Sequence, residues 1–220
     1  MRPIAITFPI PVVNSVSATQ SFTASTQGVS LNGSLSNVGK VSTQGYSPNV
    51  TFPGIQRTVT ITSTGNISTS TFTITGIDVR GQAVSTTLTG PNNTTATTAA
   101  EFAQVTAITV GTTASSTFTV GTGATGSSVW VKGDSFTAPF SVTVAVSTVT
   151  TAPITIQDTP QDANSVVPTN IYNHPTLATV TVSAESSYTS PVQYMRAILT
   201  STTSSASAAS VVTFIQAGGG

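Results

Sequence analysis

The sequence predicts an all-β protein made of antiparallel β-sandwich domains of the jelly-roll or Ig-like kind, and three observations favour this class. Ser and Thr make up roughly a third of the 220 residues, well above their usual share. Short segments alternate apolar and polar side chains, which is the period of a half-buried strand. Gly, Pro and Asn separate these segments at intervals of about 8–12 residues. A chain of this length forms one large β domain or two small ones.

The first 20 residues are predicted to form an extended N-terminal arm. Pro3, Pro9 and Pro11 oppose a stable helix and suit extended backbone. They also interrupt the apolar run that a signal peptide needs, so we expect no signal peptide. Such an arm can reach onto a neighbouring subunit or can be an ordinary frayed terminus. The residues alone leave both interpretations open.

Residues 21–125 are predicted to form the first β-sandwich domain. Alternation is clearest where Val59 and Ile61 share one face. The predicted strands are residues 29–35, 54–62, 70–76, 84–90 and 117–121, and residues 102–110 are predicted to begin as a mixed segment and to end as a strand. Residues 94–105 are the best candidate for a short helix, although their Thr content weakens it.

A domain boundary is predicted in the Gly-rich segment 121–128, between residues 125 and 126. Residues 126–220 then form a second β-sandwich domain. Its predicted strands are residues 129–131, 140–146, 153–157, 179–182, 194–199 and 211–216. Residues 158–175 are predicted to be a long polar loop.

Charged residues are scarce and balanced, at 5% of the chain with a net charge of zero. Six scattered Lys and Arg residues make no electrostatic footprint, so we expect no nucleic-acid partner. No run of 18 apolar residues occurs, and we expect no membrane partner. A neutral surface repels its own copies poorly, which favours a protein that enters a packed homo-oligomeric assembly.

Side chains suited to catalysis are few, since the chain has no Cys and one His. His174 could be a metal ligand or a catalytic base. A single His without a partner base or nucleophile is poorly suited to catalysis. The favoured interpretation is therefore a loop histidine that makes a hydrogen bond. We therefore expect no enzyme activity, no catalytic residue and no cofactor.

Asp158 and Asp162 lie on the predicted loop and could help to bind a cation. A calcium site needs six to eight oxygens and the EF-hand pattern is absent, so no metal site is predicted, although a bound cation near the two residues stays open. Residues 121–126 have the G-x-G-x-x-G spacing without a following helix, and we interpret them as a linker. Lys40 and Lys132 could form isopeptide bonds, but solvated lysines are favoured.

Trp130 is expected to lie in the core rather than to serve as a ligand platform. Arg196 lies in an apolar strand, and a half-buried Arg needs a carboxylate partner. Glu185 and Asp158 are the candidates for that partner. Structural pairing is favoured over substrate binding.

Eight segments together carry a resemblance to a known group of proteins. They are residues 32–35, 46–63, 72–78, 88–92, 102–110, 172–177, 190–197 and 214–218. In this order they resemble a pattern in structural proteins of tailed bacteriophages. The resemblance covers most of the chain beyond the first 20 residues or so, and it brings no catalytic residues.

The resemblance implies a virion protein of the head decoration (cement) or neck-associated type. We expect the chain to bind the exterior of the phage capsid and to stabilise it by bridging capsomers. Its partners would be copies of itself, as a trimer, and the major capsid protein or other virion proteins. It would be made in the host cytoplasm and be located on the outer capsid surface. The alternatives are a neck, collar or tail protein at low copy number, and a host-surface glycan-binding module.

Overall fold

The computed structural model of the chain describes residues 3–23, 27–36, 49–134, 141–147, 153–200 and 209–216. These residues form antiparallel β-strands, and no helix occurs among them, which confirms the all-β prediction. The chain divides into two compact units. The first unit is Pro11–Gly123, and the second combines Met1–Ile10 with Ala124–Gly220.

The first unit contains two antiparallel sheets. The first strand of the chain, β1 (Ile4–Phe8), belongs to the second unit. The strands of the first unit follow it. Those strands are β2 (Ser17–Phe22), β3 (Gln27–Gly28), β4 (Val50–Thr51), β5 (Ile55–Ser63), β6 (Thr71–Ile77), β7 (Ala83–Thr89), β8 (Thr95–Phe102), β9 (Gln104–Val110) and most of β10 (Ala114–Ser128). One sheet has the order β2-β10-β5-β8. The other has the order β7-β6-β9, with β3 and β4 paired to different parts of β9.

Alternating apolar side chains form the core between these two sheets. In β6, Phe72 and Ile74 are buried, whereas the Thr residues between them lie on the other face. The ring of Phe72 meets that of Phe118 on β10 edge to face, with centroids 5.1 Å apart. Each buried side chain of this size contributes about 1.5–3 kcal/mol, so this contact helps to hold the two sheets together.

This core also encloses a charged side chain, that of Arg57. Arg57 on β5 donates from Nη2 to the carbonyl oxygen of Gly123 on β10. Burial lowers its pKa to about 10, and the negative charge of Glu101 opposes that shift. The guanidinium is therefore still charged at neutral pH, inside a core where an unpaired charge would be costly.

The second unit also contains two antiparallel sheets. Besides β1 and the end of β10, its strands are β11 (Val131–Lys132), β12 (Val142–Ser147), β13 (Ile154–Thr159), β14 (Tyr172–Asn173), β15 (Ala184–Tyr188), β16 (Tyr194–Thr200) and β17 (Ser210–Gln216). One sheet has the order β1-β17-β12-β15. The other has the order β14-β13-β16, and both β11 and the end of β10 pair with β16. Tyr188 on β15 reaches Asp158 on β13, so the sheets pack face to face.

The predicted arm of residues 1–20 is corrected in one respect, because its described residues pair within the chain. β1 pairs with β17 from Ile4–Phe214 to Phe8–Ser210. Further along, β2 pairs with β10. The prolines at both ends of β1 limit its length without preventing its pairing.

The predicted linker of residues 121–128 is wrong, because these residues belong to β10. Residues 125–127 pair with β16. A Cβ atom at Gly121 would overlap the carbonyl oxygen of Val12, so this glycine permits close packing. The division between the units falls between Gly123 and Ala124, inside the predicted segment and two residues before the predicted boundary between residues 125 and 126.

Three further predictions of secondary structure are wrong. Residues 29–35 form no strand, because β3 ends at Gly28 and only the Val29 nitrogen continues the pairing, with the carbonyl oxygen of Ile108. Residues 94–105 contain β8 and the start of β9, where strand pairing outweighs local helix propensity. Residues 179–182 form no strand, and Val180 makes a single bridge with Ile154. In addition, the predicted loop 158–175 contains the short strand β14.

Candidate functional site

The candidate site lies in the second unit, at the connection between β13 and β14. β13 ends at Thr159 and β14 begins at Tyr172. We call residues 160–171 the β13–β14 loop. It joins two paired antiparallel strands, yet it is longer than the loop of about two to five residues that most hairpins use.

Gln161 ties the beginning of the β13–β14 loop to its end. Its Oε1 accepts hydrogen bonds from the backbone nitrogens of Thr169, at 2.6 Å, and Asn170, at 2.9 Å. Its Nε2 donates to Thr169 Oγ1 at 3.2 Å. Thr159 Oγ1 donates to the carbonyl oxygen of Asn170 at 2.7 Å. Together these bonds fix the path of the loop.

Asp162 caps a hydrogen-bonded turn at residues 163–165 within the loop. Its carboxylate accepts from the Asn164 nitrogen at 3.2 Å and from Ser165 Oγ at 2.7 Å, and its carbonyl oxygen accepts from the Val166 nitrogen at 3.1 Å. The hydroxyl of Tyr194, on β16, donates to Asp162 Oδ1 at 2.7 Å. The hydrogen bonds from Ser165 and Tyr194 hold the pKa of Asp162 below its ordinary value. The ionised carboxylate therefore fastens the loop to the sheet.

The loop displays two adjacent apolar side chains to solvent. Val166 is 49% exposed and Val167 is 64% exposed. Pro168 follows them, and a proline restricts the residue before it to extended conformations. Because the loop is already ordered, little conformational entropy remains to be lost when these side chains dock against a partner.

His174 lies in the interior between the two sheets of the unit. Its Nδ1 accepts from the backbone nitrogens of Thr176, at 3.2 Å, and Leu177, at 3.3 Å. The imidazole meets the ring of Tyr188 edge to face, with centroids 4.5 Å apart. Tyr188 in turn donates to Asp158 Oδ1 at 3.2 Å. The buried histidine and tyrosine and the half-buried aspartate thus form one cluster.

Burial sets the protonation states of this cluster. It lowers the pKa of His174, so the imidazole is neutral at pH 7. It raises the pKa of Asp158 and, together with the charge of Asp158, raises the pKa of Tyr188. His174 also hydrogen-bonds the backbone of Ser187. Its contacts are thus those of a packed structural histidine, with Nδ1 directed at backbone N–H groups.

The two aspartates that could have shared a cation face different tyrosines. Asp158 accepts from Tyr188, and Asp162 accepts from Tyr194. Within the described ranges, no cluster of three or more His, Asp or Glu side chains is arranged to hold a metal ion.

Four side chains form a row across the outer face of the sheet β14-β13-β16. They are Trp130, Arg196, Gln157 and Asn173, which we call the polar row. Gln157 pairs in register with Arg196 on one side and with Asn173 on the other. Arg196 donates from Nε at 3.0 Å and from Nη2 at 2.8 Å to Gln157 Oε1, and Gln157 Nε2 donates to Asn173 Oδ1 at 3.0 Å. The guanidinium carbon lies 4.5 Å from the centroid of the Trp130 ring.

The polar row differs from the predictions for Trp130 and Arg196. Trp130 is half-buried beneath a guanidinium rather than enclosed in the core. Arg196 bonds the amide of Gln157, whereas the carboxylate of Asp158 accepts from a tyrosine. Glu185 lies exposed on β15, in the other sheet of the unit. The cation–π contact and the charged hydrogen bonds to Gln157 thus hold the guanidinium over the indole ring.

The remaining predicted candidates lie away from the β13–β14 loop. Lys132 is an exposed residue of β11. Lys40 lies outside the described residues. The G-x-G-x-x-G run of residues 121–126 is strand in β10, without the loop and helix that a phosphate site requires.

Sequence reasoning missed the residues that give the loop its shape and its exposed tip. These are Gln161, Tyr194, Val166 and Val167. One signal was present, namely two adjacent valines before a proline within an otherwise polar segment. The contacts of Gln161 and Tyr194 depend on the folded path of the chain and leave no such signal.

The comparisons with known proteins do not identify a family for this chain. No protein-family model matches the chain, and the search of curated proteins gave no match. In the described part of the chain, no helix has the length and apolar character needed to cross a bilayer.

Proposed function

We propose that this chain is a structural virion protein of a tailed bacteriophage, a decoration or cement protein that binds the outside of the capsid and bridges its capsomers. The observation that carries the proposal is the ordered β13–β14 loop, which presents Val166 and Val167 to solvent. Apolar side chains on a pre-organised loop are suited to fill a pocket on a fixed partner. The resemblance to phage structural proteins supplies the identity of that partner, the major capsid protein.

The character of the exposed strands supports the same proposal. β7 is the edge strand of its sheet and exposes Ser85, Thr87 and Thr89. Natural edge strands usually carry charges that prevent pairing with other chains, and β7 carries none. Such hydroxyl side chains also lose less rotamer entropy on burial than Lys or Glu would. Further copies of this chain are therefore proposed as partners, with a trimer as the oligomer.

The proposed mechanism is passive. Each copy contacts neighbouring capsomers and adds binding free energy that opposes their separation by packaged DNA. An interface of ordinary size, about 1,600 Å², loses much of its gross gain to ordering costs. Repetition of the contact over many sites therefore supplies the stabilisation.

A structural role, without catalysis, is the proposal that best fits the titratable side chains. The neutral His174 is packed between sheets with its Nδ1 directed at backbone N–H groups. Asp158 and Asp162 are each engaged by a tyrosine hydroxyl. These contacts organise the loop and the core of the second unit. The proposed location is the outer capsid surface, after synthesis in the host cytoplasm.

The experiment that tests the proposal is the copy number of the chain in purified particles, measured by mass spectrometry against the major capsid protein. A decoration protein should be present in numbers comparable to the capsomers. A count limited to one small ring would place the chain in the neck, collar or tail. The polar row does not favour the glycan-binding alternative, because Arg196 covers a face of the indole ring that a sugar would need.

A further inference from the structure

A short link joins β1 to the rest of the chain. β1 ends at Phe8 and belongs to the second unit, whereas the first unit begins at Pro11. Val12 is already fixed to β10, because its nitrogen donates to Thr122 Oγ1 at 3.0 Å and its carbonyl oxygen accepts from the Thr122 nitrogen at 3.0 Å. Residues 9–11 therefore connect β1 to the residues that pair with β10.

Two of the three link residues are prolines. Pro9 and Pro11 have no N–H to donate to a strand ladder, and their φ is held near −65°. Phe8 and Ile10, which precede them, are restricted to extended conformations. A short, stiff link of this kind makes it harder for the chain to fold back on itself. It therefore favours the exchange of β1 between copies.

β17 depends on β1 for one of its two edges. β12 pairs along the opposite edge of β17. Along the remaining edge of β17, β1 pairs with residues 210–214 and buries its own Ile6 and Phe8 in the core. A β17 without its β1 would present both unpaired backbone groups and an apolar slot, which is a ready acceptor for an added strand.

The contacts of β1 are the same whether it pairs within one copy or between two. Each ladder hydrogen bond and each buried side chain is formed again after exchange, so the path of the link and the local concentration decide the outcome. A short tether gives an effective concentration of about the millimolar range. Copies that cover one particle closely offer neighbouring strands at a comparable concentration.

We propose that β1 is an exchangeable strand, and that in assemblies the β1 of one copy pairs with β17 of a second copy. The partner is another copy of this chain, and the acceptor surface is the β17 edge and the slot for Ile6 and Phe8. This proposal rests on the proposed function, because the close packing of copies on a particle supplies the high local concentration. The exchange itself is a property of the isolated protein and is tested there.

Disulfide trapping can test the exchange because the chain has no Cys. Ala5 and Thr213 are partners in register, and both side chains point away from the core. Full-length A5C and T213C proteins are mixed at about millimolar concentration and oxidised. Exchange should give a mixed A5C–T213C dimer on a non-reducing gel, with about tenfold more product than a control mixture of A5C and T87C. Thr87 is exposed on β7, whereas Thr213 is half-buried, so the control cysteine is at least as accessible; Thr87 pairs with β6 and not with β1.

The double variant A5C/T213C, oxidised at low concentration, shows whether this pair can close a disulfide at all. The outward pair of Thr7 and Val211 gives a second, independent readout at the same edge. Closure in the double variants without mixed dimers above the control would overturn the proposal. Mixed dimers at both pairs would support it, and P9A/P11A should then lower the dimer fraction because the link is relaxed. Failure here would leave the virion assignment intact, since copy number decides that separately.

Discussion

The hydroxyl of Tyr194 donates a 2.7 Å hydrogen bond to Oδ1 of Asp162, and this bond joins β16 to the β13–β14 loop. Removing it in Y194F should loosen the hydrogen-bonded turn that Asp162 caps. Hydrogen exchange at the Val166 amide, which donates to the Asp162 carbonyl, should become faster while exchange within β13 is unchanged. Y172F is the matched control, because Tyr172 is 57% exposed and its hydroxyl loss should leave the loop unaffected. Equal protection in Y194F and the wild type would show that the loop does not depend on this bond.

The second prediction concerns the exposed valines. V166D/V167D should abolish binding to purified heads that lack this protein, because two charges cannot enter an apolar pocket. The free energy of unfolding should change by less than about 0.5 kcal/mol, since both side chains are at the surface. Co-sedimentation with heads measures the binding, and urea unfolding measures the stability.

V182D provides the control for that experiment. Val182 is 68% exposed and lies outside the β13–β14 loop, so the same chemical change should leave head binding intact. Undiminished binding by V166D/V167D would remove the loop from the docking surface. Loss of binding by V182D as well would indicate a general effect of charge on this neutral protein.

The third prediction is a pH dependence of stability that comes from His174. Burial holds its pKa in the folded protein below the ordinary value of 6.5. As the pH falls through 6.5, the unfolded chain takes up a proton that the folded protein does not, so the free energy of unfolding should decrease. The raised pKa of Asp158 has the opposite sign, and its contribution appears at lower pH, between its folded value and 3.8.

H174N isolates this effect, because the asparagine Oδ1 can accept from the backbone in place of Nδ1. The variant should be less stable at pH 8, since it loses the contact with the Tyr188 ring. Its stability should nevertheless vary less than that of the wild type between pH 8 and pH 5.5. Urea unfolding across this range measures both quantities. An unchanged slope in H174N would assign the pH dependence to another group.

The fourth prediction separates the volume of Arg57 from its charge. R57A should lower the free energy of unfolding by about 3–5 kcal/mol, because it leaves a cavity and a buried carbonyl acceptor at Gly123. R57M fills most of the same space without a buried charge, and its stability should lie within about 1 kcal/mol of the wild type or above it. Chemical unfolding of both variants gives the comparison. A loss in R57M as large as that in R57A would mean that the charged hydrogen bond itself stabilises the core.

Strands with one buried face could be predicted closely from the sequence. β6 was expected at residues 70–76 and is found at Thr71–Ile77, because Phe72 and Ile74 alternate with threonines. The second half of β10 could not be predicted, because its Gly, Thr and Ser residues carry no apolar period. Its strand conformation comes from pairing with β16 and from the close approach of Val12 to Gly121.

The candidate site could be predicted in part. The polar loop, Asp158, Asp162 and His174 are recognisable because polar and titratable residues are rare in this chain. Their partners Tyr188 and Tyr194 lie about 30 residues away from the aspartates that they bond. Which tyrosine meets which carboxylate depends on strand register and sheet packing, and local alternation specifies neither.

The pairing of β1 with β17 has a consequence for the period in which the protein is being made. Phe8 leaves the ribosome about 200 residues before its partner Ser210, and at about 5–20 residues per second this takes roughly 10–40 s. During that time Ile6 and Phe8 have no β17 of their own to cover them. Because Pro3 and Pro9 confine β1 to five residues, the ladder that it can offer to an unrelated strand during this time is short.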